Sequence, residues 1–470
     1  MKTKAGFFLL MILNCIASSY SQVTSTLSNE QKNWLMQATR HEKNGWIYIH
    51  IEGTPKERGF QYGYMLAPEI KESIEVISKV WHYQNALDWN WLIQKTINKV
   101  KPNIDSEYLT EMEGIAEGVK TAGFDTDLDE IIIYNDFMEL LWSWWPVAKE
   151  KISINPSEPT LQSCSSFIAI GNMTSDGSIV LGHNTMFGFV IPQCNIILDI
   201  KPDKGFRILM QTLPGFIHSG TDFFITNAGL IGSETTIADF SKYSEEGIPE
   251  FIRMRQATQY ASNIDEWCEI MKKGNNGGYA NAWLLGDINK NEIARLELGL
   301  NYVGFEKKKD GYFVGSNLVE DLRILRFETK AKETDIKYST VARNVRWEQL
   351  MQENKGKINL ELAKKFEADH YDTFLNSFKP GGRSLCGHFY LDSDHPNYQA
   401  FHVKGTLDGK VIDTKMAKQM SFLAKWGSSC DIPFDSKIFL KEHPQFEWMN
   451  GLLKDRPNQP WTVFTTGETK

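Results

Sequence analysis

The chain has 470 residues, 41% of them hydrophobic and 23% charged, with a formal net charge of −8. That length suits one large domain or two to three small ones around a sizeable core. The acidic balance argues against a nucleic-acid partner, which calls for a basic face.

Lys2 and Lys4 precede an apolar run over 5–16, and Ser19-Tyr20-Ser21 supplies small residues for cleavage. The pattern predicts a signal peptide over 1–21, a mature chain from near Gln22 and a secreted or periplasmic protein. The run is too short for a permanent membrane helix, and no other stretch is long and apolar enough, so no integral membrane segment is expected. Cys15 raises lipoprotein anchoring as an alternative, and Asn14 before it fits that signal poorly.

A helix is expected over 29–41 and a strand over 46–51. Thr54-Pro55-Lys56-Glu57 then opens a helix: Thr54 caps, Pro55 suits the first helical position and Glu57 completes a capping box. This helix is expected to run through Ile70, Ile74 and Ile77 toward Trp81. Another covers 107–121, and 131–145 reads as a buried helix. Residues 152–162, with Pro156 and Pro159, form an irregular linker. Strands over 165–170 and 179–182 flank the turn Asp176-Gly177. Further strands are expected over 195–201 and 207–211, and over 223–226 and 230–235 around Asn227-Ala228-Gly229. Residues 282–286 and 292–298 form a hairpin closed by Asn289-Lys290-Asn291. Residues 302–306 and 312–315 read as one more, closed by Asp310-Gly311. Helices return over 341–352 and 360–368. Helices, then antiparallel strands, then helices predict an α+β layered fold.

Five cysteines follow the leader: Cys164, Cys194, Cys268, Cys386 and Cys430. An odd count in an exported protein leaves at least one thiol outside intramolecular disulfides. The ordinary reading of any one of them is a small buried hydrophobe. Cys164 differs: it stands where the linker meets the first strand, among Ser163, Ser165 and Ser166. Cutting the linker would free its α-amino group to act as general base for its own thiol, a good acyl acceptor. A two-residue turn at 176–177 would set Cys164 opposite Phe189, and a longer loop slides the partner back toward His183. Residues 182–186 are therefore expected near the thiol, which raises His183 and Asn184 above ordinary loop polarity. Attack on a carbonyl also needs oxyanion donors. Glu234 and Thr235, in the polar end Ser233-Glu234-Thr235-Thr236 of an apolar strand, are candidates, as are Asn281 and Asn317. Each alone is more often a turn residue.

Cys386-Gly387-His388 with Asp392, Asp394 and His395 has the composition of a metal cluster, but its spacing fits no standard zinc pattern. No metal and no cofactor is expected, and a Cys386–Cys430 disulfide is the alternative. Trp89, Trp91, Trp142, Trp144 and Trp145 read as core. The rival reading makes them the wall of an apolar acyl pocket, with Trp142 as a substrate contact.

These residues carry a resemblance. Cys164-Ser-Ser-Phe-Ile-Ala169, Asp176-Gly177 and Gly182-His-Asn-Thr185 are similar to the nucleophile hairpin of the phospholipase B-like proteins and of the related acyl-coenzyme A:6-aminopenicillanic acid acyltransferase family. Arg58-Gly-Phe-Gln-Tyr-Gly63 and Glu113-Gly-Ile-Ala-Glu-Gly118 resemble two N-terminal segments of the acyltransferases. Glu234-Thr-Thr236 and Asn275-Asn-Gly-Gly-Tyr-Ala-Asn281 look like phospholipase B-like signatures. Ser316-Asn317 and Thr340-Val-Ala-Arg343 resemble segments shared with the choloylglycine hydrolases. The matches run in order over roughly residues 46–390. The resemblance implies an N-terminal-nucleophile hydrolase with a four-layer αββα fold, cleaving itself between Ser163 and Cys164. A light chain of 22–163 and a heavy chain of 164–470 would stay associated as one unit. It further implies Cys164 as nucleophile, Asn317 and the backbone near Thr235 as oxyanion hole, and Arg343 orienting the nucleophile. Met186 stands where the acyltransferases carry an Asp, which weakens the transferase reading and passes any orienting role to His183 or Asn184.

The reading reached from sequence is an exported cysteine amidohydrolase acting on an N-acylated small molecule, with Glu234, Asn281 and Trp142 as substrate contacts. The alternatives are a phospholipase B-like lipid ester hydrolase, an acyltransferase, and a non-catalytic protein binding glycans or lipids through its tryptophans.

Overall fold

The computed structural model describes residues 27–152, 164–191, 193–396 and 398–468. The expected signal peptide, Cys15, linker residues 153–162 and Ser163 lie outside them.

Seventeen strands lie among the described residues. β1 (Thr39–Lys43) and β2 (Trp46–Gly53) come first, then β3 (Ser165–Gly171), β4 (Gly177–Gly188), β5 (Ile196–Pro202) and β6 (Ile208–Thr212). β7 (Phe223–Thr226), β8 (Leu230–Thr236), β9 (Asn281–Asp287), β10 (Glu292–Leu298), β11 (Val303–Lys308) and β12 (Gly311–Gly315) follow. β13 (Tyr371–Asp372) and β14 (Ser377–Phe378) are a minimal pair, and β15 (Lys404–Asp413), β16 (Ser421–Trp426) and β17 (Thr462–Thr465) close the chain. Nine strands form one sheet in the order β1-β2-β5-β6-β7-β8-β9-β10-β11. Six form a second in the order β12-β3-β4-β15-β16-β17. Pairing is antiparallel except between β2 and β5. The protein is therefore α+β with large antiparallel sheets, as the element pattern predicted.

Alternation along the strands sorts side chains between packing layers. Ile168, Leu181, Ile412 and Phe422 of the six-stranded sheet meet Leu209, Phe223, Ile231 and Leu284 of the nine-stranded one in a single apolar cluster. The opposite face of the six-stranded sheet packs Phe167 and Val180 against Trp347, Met351 and Phe366, from the helices Ser339–Glu353 and Leu360–Glu367. The nine-stranded sheet likewise packs Leu198 and Trp283 against Ile70, Ile115 and Trp267 from helices.

Most expected elements are present, and four differ. The helix expected over 29–41 stops at Met36, and 39–43 instead pairs with β2. Asn44 and Gly45, both at positive φ (49° and 81°), supply the tight turn between them. The helix opened by Thr54 ends at Met65, and a separate helix Ala67–Asn85 begins beside Pro68, which cannot continue an unbroken backbone ladder. The segment 131–145 is a chain of short pieces, including a π-helical turn over Leu140–Trp144. Asp310-Gly311 closes no hairpin: β11 pairs with β10 and β12 with β3, so this turn carries the chain from one sheet to the other.

Candidate active site

The hairpin β3–β4 sets Ser165 opposite Asn184 and Ser166 opposite His183. Its loop is longer than two residues, with Gly171 paired to Gly177, so the register slides in the direction the sequence allowed. Cys164 sits at the start of β3 and is buried. Its backbone is held at both ends. The Cys164 N–H donates to Asn317 Oδ1 (2.9 Å), and its carbonyl accepts from Arg343 Nη1. Arg343 Nη2 also donates to Asn317 Oδ1 (2.9 Å) and to the Ser316 carbonyl (3.0 Å). Asn317 Nδ2 donates to the Thr236 carbonyl (2.8 Å), leaving the amide's second N–H for another acceptor. Asn317 adopts φ 68°, a left-handed conformation that Asn tolerates better than most residues. Burial and the nearby Asp222 push the Cys164 thiol up to about 11, against the pull of the Met186 N–H at the sulfur. The thiol is therefore protonated in this enclosed state. Burial and the nearby charge of Arg343 push Lys404, from β15, down to about 7.

Beside the thiol lies a buried acidic pair. Asp222 and Glu234 share a hydrogen bond, and Tyr279 Oη is 3.2 Å from each carboxyl. Burial raises both groups, Asp222 to about 6 and Glu234 well above the ordinary carboxyl range. The pair thus holds one proton between its two carboxyls at neutral pH. Asn281, opposite Thr236 on β9, is buried, and neither its Oδ1 nor its Nδ2 has a partner among the described residues. Glu234 Oε2, Thr235 Oγ1 and Ser316 Oγ stand likewise. Unmatched buried polar atoms each cost about 1–3 kcal/mol, so such a grouping is suited to a polar ligand. Trp142 is half-buried, its ring 5.8 Å from that of Tyr279 and 5.4 Å from that of Phe187. Trp89, Trp144 and Trp145 are buried core, in line with the simpler reading of the tryptophan set.

Two expected residues sit differently. His183 Nε2 is 3.0 Å from the Glu234 carbonyl, and burial holds the ring well below its usual pKa. A neutral ring facing a carbonyl must carry its proton on Nε2, so this histidine bridges the two sheets. Asn184 points to the helix-covered face. Its Nδ2 donates to the Glu367 (2.7 Å) and Leu385 (3.0 Å) carbonyls, and its Oδ1 accepts from Ser429 Oγ (2.6 Å). Its hydrogen-bonding capacity goes to positioning β4 and its neighbours.

The family model for phospholipase B matches residues 10–304. The chain belongs to the phospholipase B family. It is similar to an uncharacterized protein of Archaeoglobus fulgidus, 26% identical over 293 residues that cover 60% of this chain and 48% of that one. Phospholipase B-like protein C of Dictyostelium discoideum is 23% identical over 504 residues, covering 90% of this chain and 85% of the relative. Phospholipase B-like 1 of Homo sapiens is 24% identical over 249 residues, covering 48% and 43%. The chain thus spans about half the length of the archaeal and human relatives it matches.

The phospholipase B match takes in the N-terminal segments, whose part here is structural. Gly59 and Gly63 on the helix Pro55–Met65 meet Gly114 and Gly118 on the helix Ser106–Thr121. A Cβ at Gly59 would lie 2.0 Å from the Glu111 carbonyl oxygen, and one at Gly63 2.1 Å from that of Ile115. Arg58, just before Gly59, reaches across to the facing helix and donates to Glu111 (2.7 Å) and Glu107 (2.8 Å). Sequence reasoning missed Asp222 and Lys404 at this site. Tyr279 is carried in the sequence only by the Asn275–Asn281 signature, two residues before Asn281. Among the other candidates, Asp392 accepts from the Gly382 N–H (2.7 Å) and His395 stacks on Tyr398 at 3.6 Å, so neither joins Cys386 and His388. No helix of the described residues is long and apolar enough to cross a membrane.

Proposed function

We propose that this phospholipase B family protein is a self-processing thiol hydrolase that cleaves acyl esters of lipids. The observation that carries the reading is the clamp on Cys164, with Asn317 at its nitrogen, Arg343 at its carbonyl and the Met186 N–H at its sulfur. We read the two facing sheets and their flanking helices as the αββα sandwich of the N-terminal-nucleophile hydrolases. In processing, Cys164 Sγ attacks the Ser163 carbonyl carbon and the peptide C–N bond breaks. The Cys164 nitrogen takes up the thiol proton, and a thioester links the two residues. Water hydrolyses the thioester, leaving a Ser163 carboxylate and a free Cys164 thiol and α-amine. The same Asn317 oxygen that holds the amide N–H then holds the amine, which serves as base for the thiol. In turnover, the thiol attacks the ester carbonyl, the alcohol departs with a proton, and water releases the fatty acid from the acyl-enzyme. Asn317 Nδ2 and Asn281 Nδ2 are the oxyanion donors, and Trp142 walls the acyl chain.

The lipid-ester reading replaces the amide reading reached from sequence because the family match carries the phospholipase B name across residues 10–304. The test is intact mass and N-terminal sequencing of the purified protein, followed by fatty-acid release from phosphatidylcholine vesicles and from N-acyl amides. Two fragments, one beginning at Cys164, are expected from the wild type and one uncut chain from Cys164→Ala. An uncut wild-type chain would overturn the processing step, and turnover confined to amides would overturn the ester assignment.

A further inference from the structure

Away from the thiol, three distant stretches of chain bring four donor side chains to one point. His370 precedes β13, Cys386 and His388 lie in the loop after β14, and Cys430 lies in the turn after β16. One donor atom from each falls within 4.8 Å of all the others. His388 Nε2 is 3.2 Å from His370 Nε2, 3.2 Å from Cys430 Sγ and 3.5 Å from Cys386 Sγ.

Ordinary hydrogen bonding does not account for this grouping. An imidazole nitrogen carries either one proton or one lone pair, so His388 Nε2 serves one neighbour well. Here three donor atoms converge on it. A disulfide between Cys386 and Cys430 would use the sulfurs and leave two imidazole nitrogens aimed at each other. A tetrahedral zinc site fits better. Metal–ligand distances of about 2.0–2.3 Å give tetrahedron edges of about 3.3–3.8 Å, close to the three separations above. Two thiolates and two neutral imidazoles around Zn²⁺ sum to zero charge, which suits a place where Cys386 and His388 are fully buried. His388 Nδ1 lies 3.1 Å from Tyr390 Oη, the outer contact that fixes which ring nitrogen is left bare for a metal.

We propose that His370, Cys386, His388 and Cys430 bind one zinc ion as a structural centre. Four protein ligands close the coordination shell and leave no position for substrate or water. The ion would sit behind the wall of the active site. Leu385 and Ser429, each next to a ligand in the chain, both hydrogen-bond Asn184 on β4, whose Met186 N–H faces the Cys164 sulfur. Binding displaces the two thiol protons and ties the loop after β14 to the turn after β16.

The test uses the full chain purified under reducing conditions without chelator. Elemental analysis is expected to find about one zinc per chain, and His370→Ala and Cys430→Ser are each expected to lose most of it. Cobalt substitution of the wild type, which requires no variant to fold, is expected to give thiolate charge-transfer bands and the intense visible bands of a tetrahedral ion. Chelation is expected to lower the thermal midpoint, and zinc to restore it. Wild-type protein that stays metal-poor after incubation with zinc chloride and dialysis overturns the proposal. So does a Cys386–Cys430 cross-linked peptide in the protein as isolated from cells, before any reductant is added.

Discussion

Asn317 is the residue on which the proposed role of Cys164 can be tested most directly. Truncation to Ala removes two accepted bonds at Oδ1, from Cys164 N–H and Arg343, and the donation to the Thr236 carbonyl. Three net hydrogen bonds at about 1 kcal/mol each give about 3 kcal/mol. Ala at φ 68° adds about 1–2 kcal/mol of left-handed strain that Asn and Gly largely avoid. Asn317→Ala should therefore cost about 4–5 kcal/mol and Asn317→Gly about 3 kcal/mol. The difference isolates the backbone, and the shared loss isolates the side chain. Urea unfolding followed by tryptophan fluorescence reads both, and gel electrophoresis of the same samples reads the extent of cleavage before Cys164. Both variants should also process slowly, because the Cys164 amide loses its acceptor. Two variants within about 0.5 kcal/mol of wild type, cleaved at the wild-type rate, would refute the reasoning.

Gly59→Ala and Gly63→Ala force a methyl group against a backbone carbonyl and should each destabilise by about 3 kcal/mol or more; thermal midpoints and soluble yield check this. Burial pushes His218 down to about 3 and His402 to about 4, from an ordinary value of 6.5. The folded state keeps both rings neutral while the unfolded chain protonates, so their contribution is intact above about pH 6.5 and is lost as pH falls toward 4. Stability should fall by up to about 1.4 kcal/mol per pH unit per histidine across that window. His218→Phe should flatten the slope measured by thermal unfolding at successive pH values. Trp142→Ala should raise KM for long-chain esters by about tenfold while leaving short-chain esters near wild type; equal effects on both would remove it from the acyl wall.

Cys164 stood out in the sequence as the candidate thiol because its signal is local: a Cys between a Pro-bearing linker and a β-branched strand, with a turn to fix the register. Asn317 was a candidate from its place at a strand end, but its role, and Arg343 altogether, were legible only through resemblance, since Cys164 lies more than a hundred residues from each in the chain. β1 was missed because Thr39-Arg40-His41-Glu42-Lys43 has no apolar alternation; it is an edge strand, and charged side chains suit an edge. The turn Asn44-Gly45 was the signal that outweighed it. β15 carries Gly, Asp408 and Lys410 at fully buried positions, a pattern that reads as loop. Lys410 is satisfied by Asp408 (2.6 Å) and Thr185 (2.5 Å), partners that no local pattern reveals. Asp222 stood alone in sequence, and only the fold brings Glu234 to it.

The pairing of β2 with β5 has a consequence for the life of a cleaved molecule. β2 precedes Cys164 and β5 follows it, and their parallel register runs from Ile47↔Ile196 to Gly53↔Pro202. The chain's end returns to the same place: Gly467 N–H donates to Asp199 (2.8 Å), which also accepts from Tyr48 Oη (2.8 Å). Losing the shorter fragment would strip Ile196, Ile197, Leu198 and Ile200 of their neighbour along one open edge, a template for pairing with other chains. If the chain is cut before Cys164 as proposed, the hairpin β1–β2 would thus guard that edge against aggregation for as long as the two pieces remain woven together.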